Sequence, residues 1–97
     1  MELKNYIREI ENFPKEGIGY KDISPLLLDH EAMKEVIAKF VARLPDVRID
    51  KVVGMESRGF FFASLLAQEL KAGFVPVRKP GKLPAKTFKQ EYDLEYG

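Results

Sequence analysis

The sequence has no cysteine, which excludes a disulfide framework and thiolate chemistry and suits a reducing compartment. It has a single histidine, His30. Without a cysteine or a second histidine to join it, a solvated side chain is a better reading than a metal ligand. A dominant charge is missing too: 16 Lys and Arg against 15 Asp and Glu leave a net +1, so no global field draws nucleic acid. Long apolar runs are absent. The longest, Phe60 to Ala67, contains Ser64 and falls far short of the ~20 residues that span a bilayer. Met1-Glu2-Leu3-Lys4 lacks the basic-then-apolar order of a secretory signal. The expectation is a soluble chain of the cell interior, with neither a membrane nor a nucleic-acid partner.

What is present suits one folded domain. The chain has 97 residues, 45% apolar and 32% charged. A chain of this size buries roughly 60–65% of its unfolded surface. Leu3, Tyr6, Ile7 and Ile10 recur at helical spacing, which predicts a short amphipathic helix over residues 2–12 that Phe13-Pro14 ends. Residues 14–25 are punctuated by Gly17, Gly19, Asp22, Ser24 and Pro25. Ile18, Tyr20 and Ile23 nonetheless recur within it, so the segment reads as an ordered loop with a buried side. Asp29 then caps a helix of about fifteen residues, with a stripe of Met33, Val36, Ile37, Phe40, Val41 and Leu44 and a stop at Pro45.

The centre of the chain is Val52-Val53-Gly54-Met55-Glu56-Ser57-Arg58-Gly59-Phe60. It reads as a buried strand over 51–55, a tight turn, and the start of a helix over 59–71. Ser57 is a candidate N-cap. A helix N-terminus favours an anion, and Arg58 adds a full positive charge there. A phosphate or carboxylate site is one reading; a plain cap with an Arg58–Glu56 ion pair is the other. The helix is apolar nearly all round, which predicts burial on more than one side, with Gly73 as its stop. Phe74-Val75-Pro76-Val77-Arg78 is the next strand, so residues 51–78 form a βαβ unit with parallel strands. Pro76 marks that strand as an edge, or as bulged.

Between Glu69 and Glu91 every charge is positive: Lys71, Arg78, Lys79, Lys82, Lys86 and Lys89. Such a run is either a solvated face or, at the carboxyl end of a parallel strand, a polyanion site. Residues 87–97 alternate Glu91, Asp93 and Glu95 with Tyr92, Leu94 and Tyr96, a strand-like period. Two parallel strands cannot close a doubly wound sheet, so the domain is expected to be incomplete or to be completed by another chain.

Four segments carry a family resemblance: Phe13 to Leu27, Gly54-Met55-Glu56-Ser57-Arg58-Gly59-Phe60, Val77-Arg78-Lys79-Pro80-Gly81-Lys82-Leu83-Pro84, and Leu94-Glu95-Tyr96-Gly97. In that order and spacing the chain resembles the adenine phosphoribosyltransferases of the type I phosphoribosyltransferase family, over essentially its whole length. The resemblance implies an α/β, Rossmann-like parallel sheet with an N-terminal hood. Residues 1–28 would be helix and hood, residues 29–80 the second helix and the βαβ unit, and residues 81–97 a catalytic lid arm. It implies transfer of 5-phosphoribose from phosphoribosyl pyrophosphate to adenine, giving AMP and pyrophosphate with Mg2+, in a cytoplasmic homodimer.

By the same resemblance Glu56, Ser57, Arg58 and Gly59 form the pyrophosphate loop, with a non-proline cis peptide at Glu56–Ser57. Arg78, Lys79 and Lys82 add positive charge against the leaving group, either in their own site or across a dimer interface. Gly19, Tyr20 and Lys21 match the adenine-contacting triplet: Tyr20 stacks while the backbone of its two neighbours reads the base edge. A core aromatic remains the alternative for Tyr20, and Gly19 stands where a larger apolar residue is often found. Glu95 matches the carboxylate that moves a proton near adenine N7; on the residues alone it belongs to a solvated face. No acidic pair and no Gly-Gly-Thr turn follow, so the fold is expected to be partial and truncated, its ribose 5-phosphate cradle missing, and the 97 residues inactive alone.

Overall fold

The computed structural model describes residues 1–83. By its internal contacts this part of the chain divides into two compact units, residues 1–39 and 40–83.

The first unit is a hairpin and helices. A 3-10 turn spans Leu3–Tyr6. Strand β1 (Arg8–Glu11) then pairs antiparallel with β2 (Gly19–Asp22), with Arg8 opposite Asp22 and Ile10 opposite Tyr20. The helix expected over 2–12 is therefore not formed. Residues 8–11 alternate, with Ile10 turned inward between exposed Glu9 and Glu11, so a period of two prevails over the helical spacing. An isolated eleven-residue helix is marginal in water, whereas the strand gains cross-strand partners: Arg8 pairs with Asp22 at 2.9 Å, and Glu9 pairs with Lys21. The connection is closed by turn chemistry. Asn12 and Gly17 take left-handed φ values of 57° and 86°, the Asn12 carboxamide accepts the Gly17 N–H at 3.0 Å, and Phe13 N–H donates to Ile18 at 3.0 Å. The Phe13–Pro14 bond is cis. Helix α1 (Ser24–Leu28) buries Leu26. Helix α2 (His30–Ala42) begins as expected, Asp29 accepting the Ala32 N–H at 3.0 Å, and buries Ala32 and Ile37.

The second unit is the βαβ element. Strands β3 (Lys51–Met55) and β4 (Gly73–Val77) are parallel, from Lys51 opposite Gly73 to Met55 opposite Val77, joined by α3 (Arg58–Leu70). Pro76 sits in unbroken register opposite Gly54, so β4 is not bulged there; among the described residues it has β3 as its one neighbour. Helix α3 approaches the sheet through small residues. Gly54, Ala63 and Ala67 are buried, and a Cβ at Gly54 would stand 2.6 Å from that of Ala63. The expected burial on several sides is not observed. Phe61 is 43% and Leu65 46% exposed, because α3 meets the sheet along one stripe only. The opposite sheet face, Val53, Met55, Val75 and Val77, is likewise exposed among the described residues. Nor does Gly73 stop the helix: Lys71 takes the left-handed position at φ 57°, and Ala72 N–H reaches back to Ala67 at 2.9 Å, the six-to-one bond of a Schellman ending.

Candidate functional site

At the carboxyl end of β3 the chain makes the Glu56–Ser57 peptide bond in cis, as the resemblance implied. Glu56 N–H donates to Val77 at 2.9 Å, continuing the strand pairing one residue beyond the ladder. Ser57 does not act as the expected side-chain cap. Its side chain makes no capping bond, and it is the Ser57 carbonyl that accepts the Phe60 N–H, at 3.1 Å.

The ion pair weighed for Glu56 falls elsewhere than on its neighbour. Oε1 accepts Arg78 Nε at 3.2 Å and the Lys79 backbone N–H at 3.1 Å, and Oε2 accepts Lys82 Nζ at 2.7 Å. These partners lie 22 to 26 residues downstream, so no local pattern could announce them. Sequence does account for the turn that delivers them. Lys79-Pro80-Gly81-Lys82 closes with Lys82 N–H donating to Lys79 at 3.2 Å, and Gly81 has φ 85°, matching a type II turn with proline then glycine at its centre. The Lys82 ammonium foremost, then the Lys79 N–H, hold the Glu56 carboxyl down at about 2, from the ordinary 4.5.

Arg78 is held at a second point. Its guanidinium lies 5.9 Å from the centre of the Phe60 ring, within cation–π range, and Phe60 meets Phe74 edge-to-face at 5.6 Å. Phe60 was not singled out by its sequence, where it reads as one apolar residue in a run of them. Arg58 opens α3 and Gly59 follows it. The unit thus brings together Glu56, Ser57, Arg58, Gly59, Arg78, Lys79 and Lys82, with more positive than negative charge. Such an arrangement suits an anion of more than one charge.

In the first unit, Gly19, Tyr20 and Lys21 stand in register on β2. Tyr20 is half-buried and meets Phe13 edge-to-face at 4.9 Å; the Lys21 ammonium is drawn to Glu9. Among the described residues β2 has β1 as its one neighbour, so its other edge presents backbone groups outward. A shallow recess of about 220 Å³ borders Gly19, lined also by Glu11, Asn12, Gly17 and Ile18. Asp22 closes the hairpin onto α1, accepting the Ser24 N–H at 2.9 Å. That bond, above all, holds its carboxyl below the usual range, with the Ser24 hydroxyl and Arg8 adding to it. Glu95 lies outside the described residues, as does the alternating 87–97 segment.

A parallel pair bridged by a helix, with an anion-suited turn at its carboxyl end, is part of a type I phosphoribosyltransferase fold. Along its whole length the chain is similar to adenine phosphoribosyltransferases. It is 66% identical to that of Christiangramia forsetii over all 97 residues, 57% of that protein. Among solved structures, that of the Giardia lamblia adenine phosphoribosyltransferase complexed with 9-deazaadenine matches 97% of this chain and 52% of its own, with a TM-score of 0.92 and 42% identity. The Saccharomyces cerevisiae enzyme, complexed with an imino-altritol bisphosphate and adenine, matches 90% and 54%, with a TM-score of 0.86 and 45% identity. No family model matches the chain. The chain spans about half the length of the curated relatives it matches.

Proposed function

We propose that this chain supplies the adenine-recognition and pyrophosphate-holding part of an adenine phosphoribosyltransferase of purine salvage. The complete protein moves 5-phosphoribose from phosphoribosyl pyrophosphate to adenine N9, releasing pyrophosphate and leaving AMP. The observation that carries this reading is the gathering of Arg78, Lys79 and Lys82 about the end of β3, beside Arg58. As the bond between C1 and the pyrophosphate oxygen breaks, negative charge grows on the leaving group, and fixed cations beside it lower the barrier.

In this reading Tyr20 lies against the flat face of adenine, and the edge of β2 at Gly19 and Lys21 that is unpaired among the described residues reads its rim. Two of the similar proteins were crystallised with adenine or 9-deazaadenine, in keeping with this assignment. Glu95, on the lid, exchanges a proton near N7 as C1 becomes oxocarbenium-like. Magnesium, when bound with phosphoribosyl pyrophosphate, supplies further charge neutralisation. Among the described residues no three His, Cys, Asp or Glu side chains gather, and Glu56 is engaged by Arg78, Lys79 and Lys82. The working form is a cytoplasmic homodimer; no helix among the described residues is long and apolar enough to cross a membrane.

The test is AMP formation from adenine and phosphoribosyl pyrophosphate by the complete protein, followed spectrophotometrically against guanine and hypoxanthine. Turnover with adenine is expected, and Arg58→Ala should raise KM for phosphoribosyl pyrophosphate or lower kcat by 10-fold or more. Preference for another purine would redirect the assignment within the family. Absence of turnover with every base would leave a non-catalytic purine- or polyanion-binding or dimerising module.

A further inference from the structure

Glu56 stands at the centre of the cation cluster, yet a carboxylate repels the anion the cluster would hold. Its side chain is only 12% exposed, and both its oxygens are engaged: Oε1 by Arg78 and the Lys79 N–H, Oε2 by Lys82. Arg78 and Lys82 remain 36% and 46% exposed. Each therefore has donors turned away from Glu56, since a guanidinium carries five N–H groups and an ammonium three. All four residues of the Lys79–Lys82 turn are set by conformation or by this carboxylate. Pro80 and Gly81 shape the bend, and Glu56 anchors Lys79 through its backbone and Lys82 through its side chain. Without the carboxylate, two like charges would sit close together with nothing between them.

We propose that Glu56 is a positioning residue: it does not meet the ligand, but seats the Arg78–Lys82 turn so that its cations converge on one multiply charged phosphate group. This rests on the pyrophosphate reading above and gives Glu56 a different role within it. The converse arrangement, in which Glu56 competes with pyrophosphate for the same cations, predicts the opposite sign for its removal.

The experiment compares the chain with its Glu56→Gln and Glu56→Asp variants by amide exchange and by calorimetric titration with inorganic pyrophosphate. Glutamine keeps the shape and one acceptor oxygen but loses the charge; aspartate keeps the charge but is one methylene too short to reach all three donors. In Glu56→Gln, the Lys79 and Lys82 amides should exchange at least 10-fold faster while those of β3 and α3 keep their protection. Pyrophosphate should bind about 10-fold more weakly, with Glu56→Asp between the two. Equal or tighter binding by Glu56→Gln overturns the proposal, as does unchanged exchange at Lys79 and Lys82. If Glu56→Gln loses protection throughout, Lys82→Met, which removes one arm of the cluster, must still speed exchange at Lys79. If the parent chain does not bind pyrophosphate, it is the functional reading that fails, and the exchange rates alone decide the role of Glu56.

Discussion

Each unit of the chain is tied by one carboxylate, and the two differ in the charge they leave over. In the first, Asp22 takes the Ser24 N–H and the Arg8 guanidinium, and the two side-chain charges cancel. In the second, Glu56 takes the Lys79 N–H, Arg78 and Lys82, so the two paired cations exceed it by one. The first arrangement finishes a hairpin; the second leaves a field for an anion. The contrast suits the proposed ligands: adenine is neutral and needs a ring and a backbone edge, whereas pyrophosphate needs fixed positive charge.

The largest expected effect breaks the second unit at its tightest contact. Gly54→Ala puts a Cβ 2.6 Å from Ala63 Cβ and 3.1 Å from the Gly59 carbonyl. Overpacking of this kind costs about 1–3 kcal/mol. A fall in Tm of roughly 4–8 °C for each of them is expected on thermal unfolding, with pyrophosphate binding weakened alongside. An unchanged melt would mean that α3 does not lie so close. In the first unit, Tyr20→Ala should cost adenine binding about 1–3 kcal/mol, the worth of a base stacked on an aromatic ring, whereas Tyr20→Phe should bind nearly as well. Equal losses in both would shift the contact from the ring face to the hydroxyl.

Acid tests both carboxylates. Both have folded values below their unfolded ones, so each contributes stability at pH above the ordinary carboxylate range and loses it as pH falls through its folded value. Glu56 should keep its charge until about pH 2. Carboxyl NMR titration should show this, and a midpoint near 4.5 would show that the Lys82 and Lys79 contacts do not persist in solution. The smallest effect is that of Lys21→Ala. Its exposed pair with Glu9 is worth about 0–1 kcal/mol, and if Lys21 reads adenine through its backbone, Kd should change less than about 3-fold. A larger loss would bring the ammonium into the site.

Much of the second unit was legible. Val52-Val53 before Gly54, the apolar run after Arg58, and Phe74 to Val77 announce strand, helix and strand, since each is long enough for one period to dominate. The first eleven residues were not legible. Leu3, Tyr6, Ile7 and Ile10 satisfy a helical spacing, while Glu9-Ile10-Glu11 satisfies an alternating one, and only the partner strand β2 separates the two. Lys71 in the left-handed position, two residues before Gly73, escaped for a similar reason: the helix ends where β4 must begin, not at the nearest glycine.

The sequence by itself determined which residues carry charge, where the turn at Pro80-Gly81 falls, and that strand, turn and helix follow one another from Lys51 to Leu70, though not that the strand would be buried: Val53 and Met55 are exposed. Those depend on neighbours within a few positions, and local sterics and periodicity are enough to read them. The tertiary structure alone decided that the Glu56 carboxylate answers Arg78 and Lys82 rather than Arg58. It likewise decided that Gly54 is the point where helix meets sheet, because both facts join residues brought close only when the strands pair.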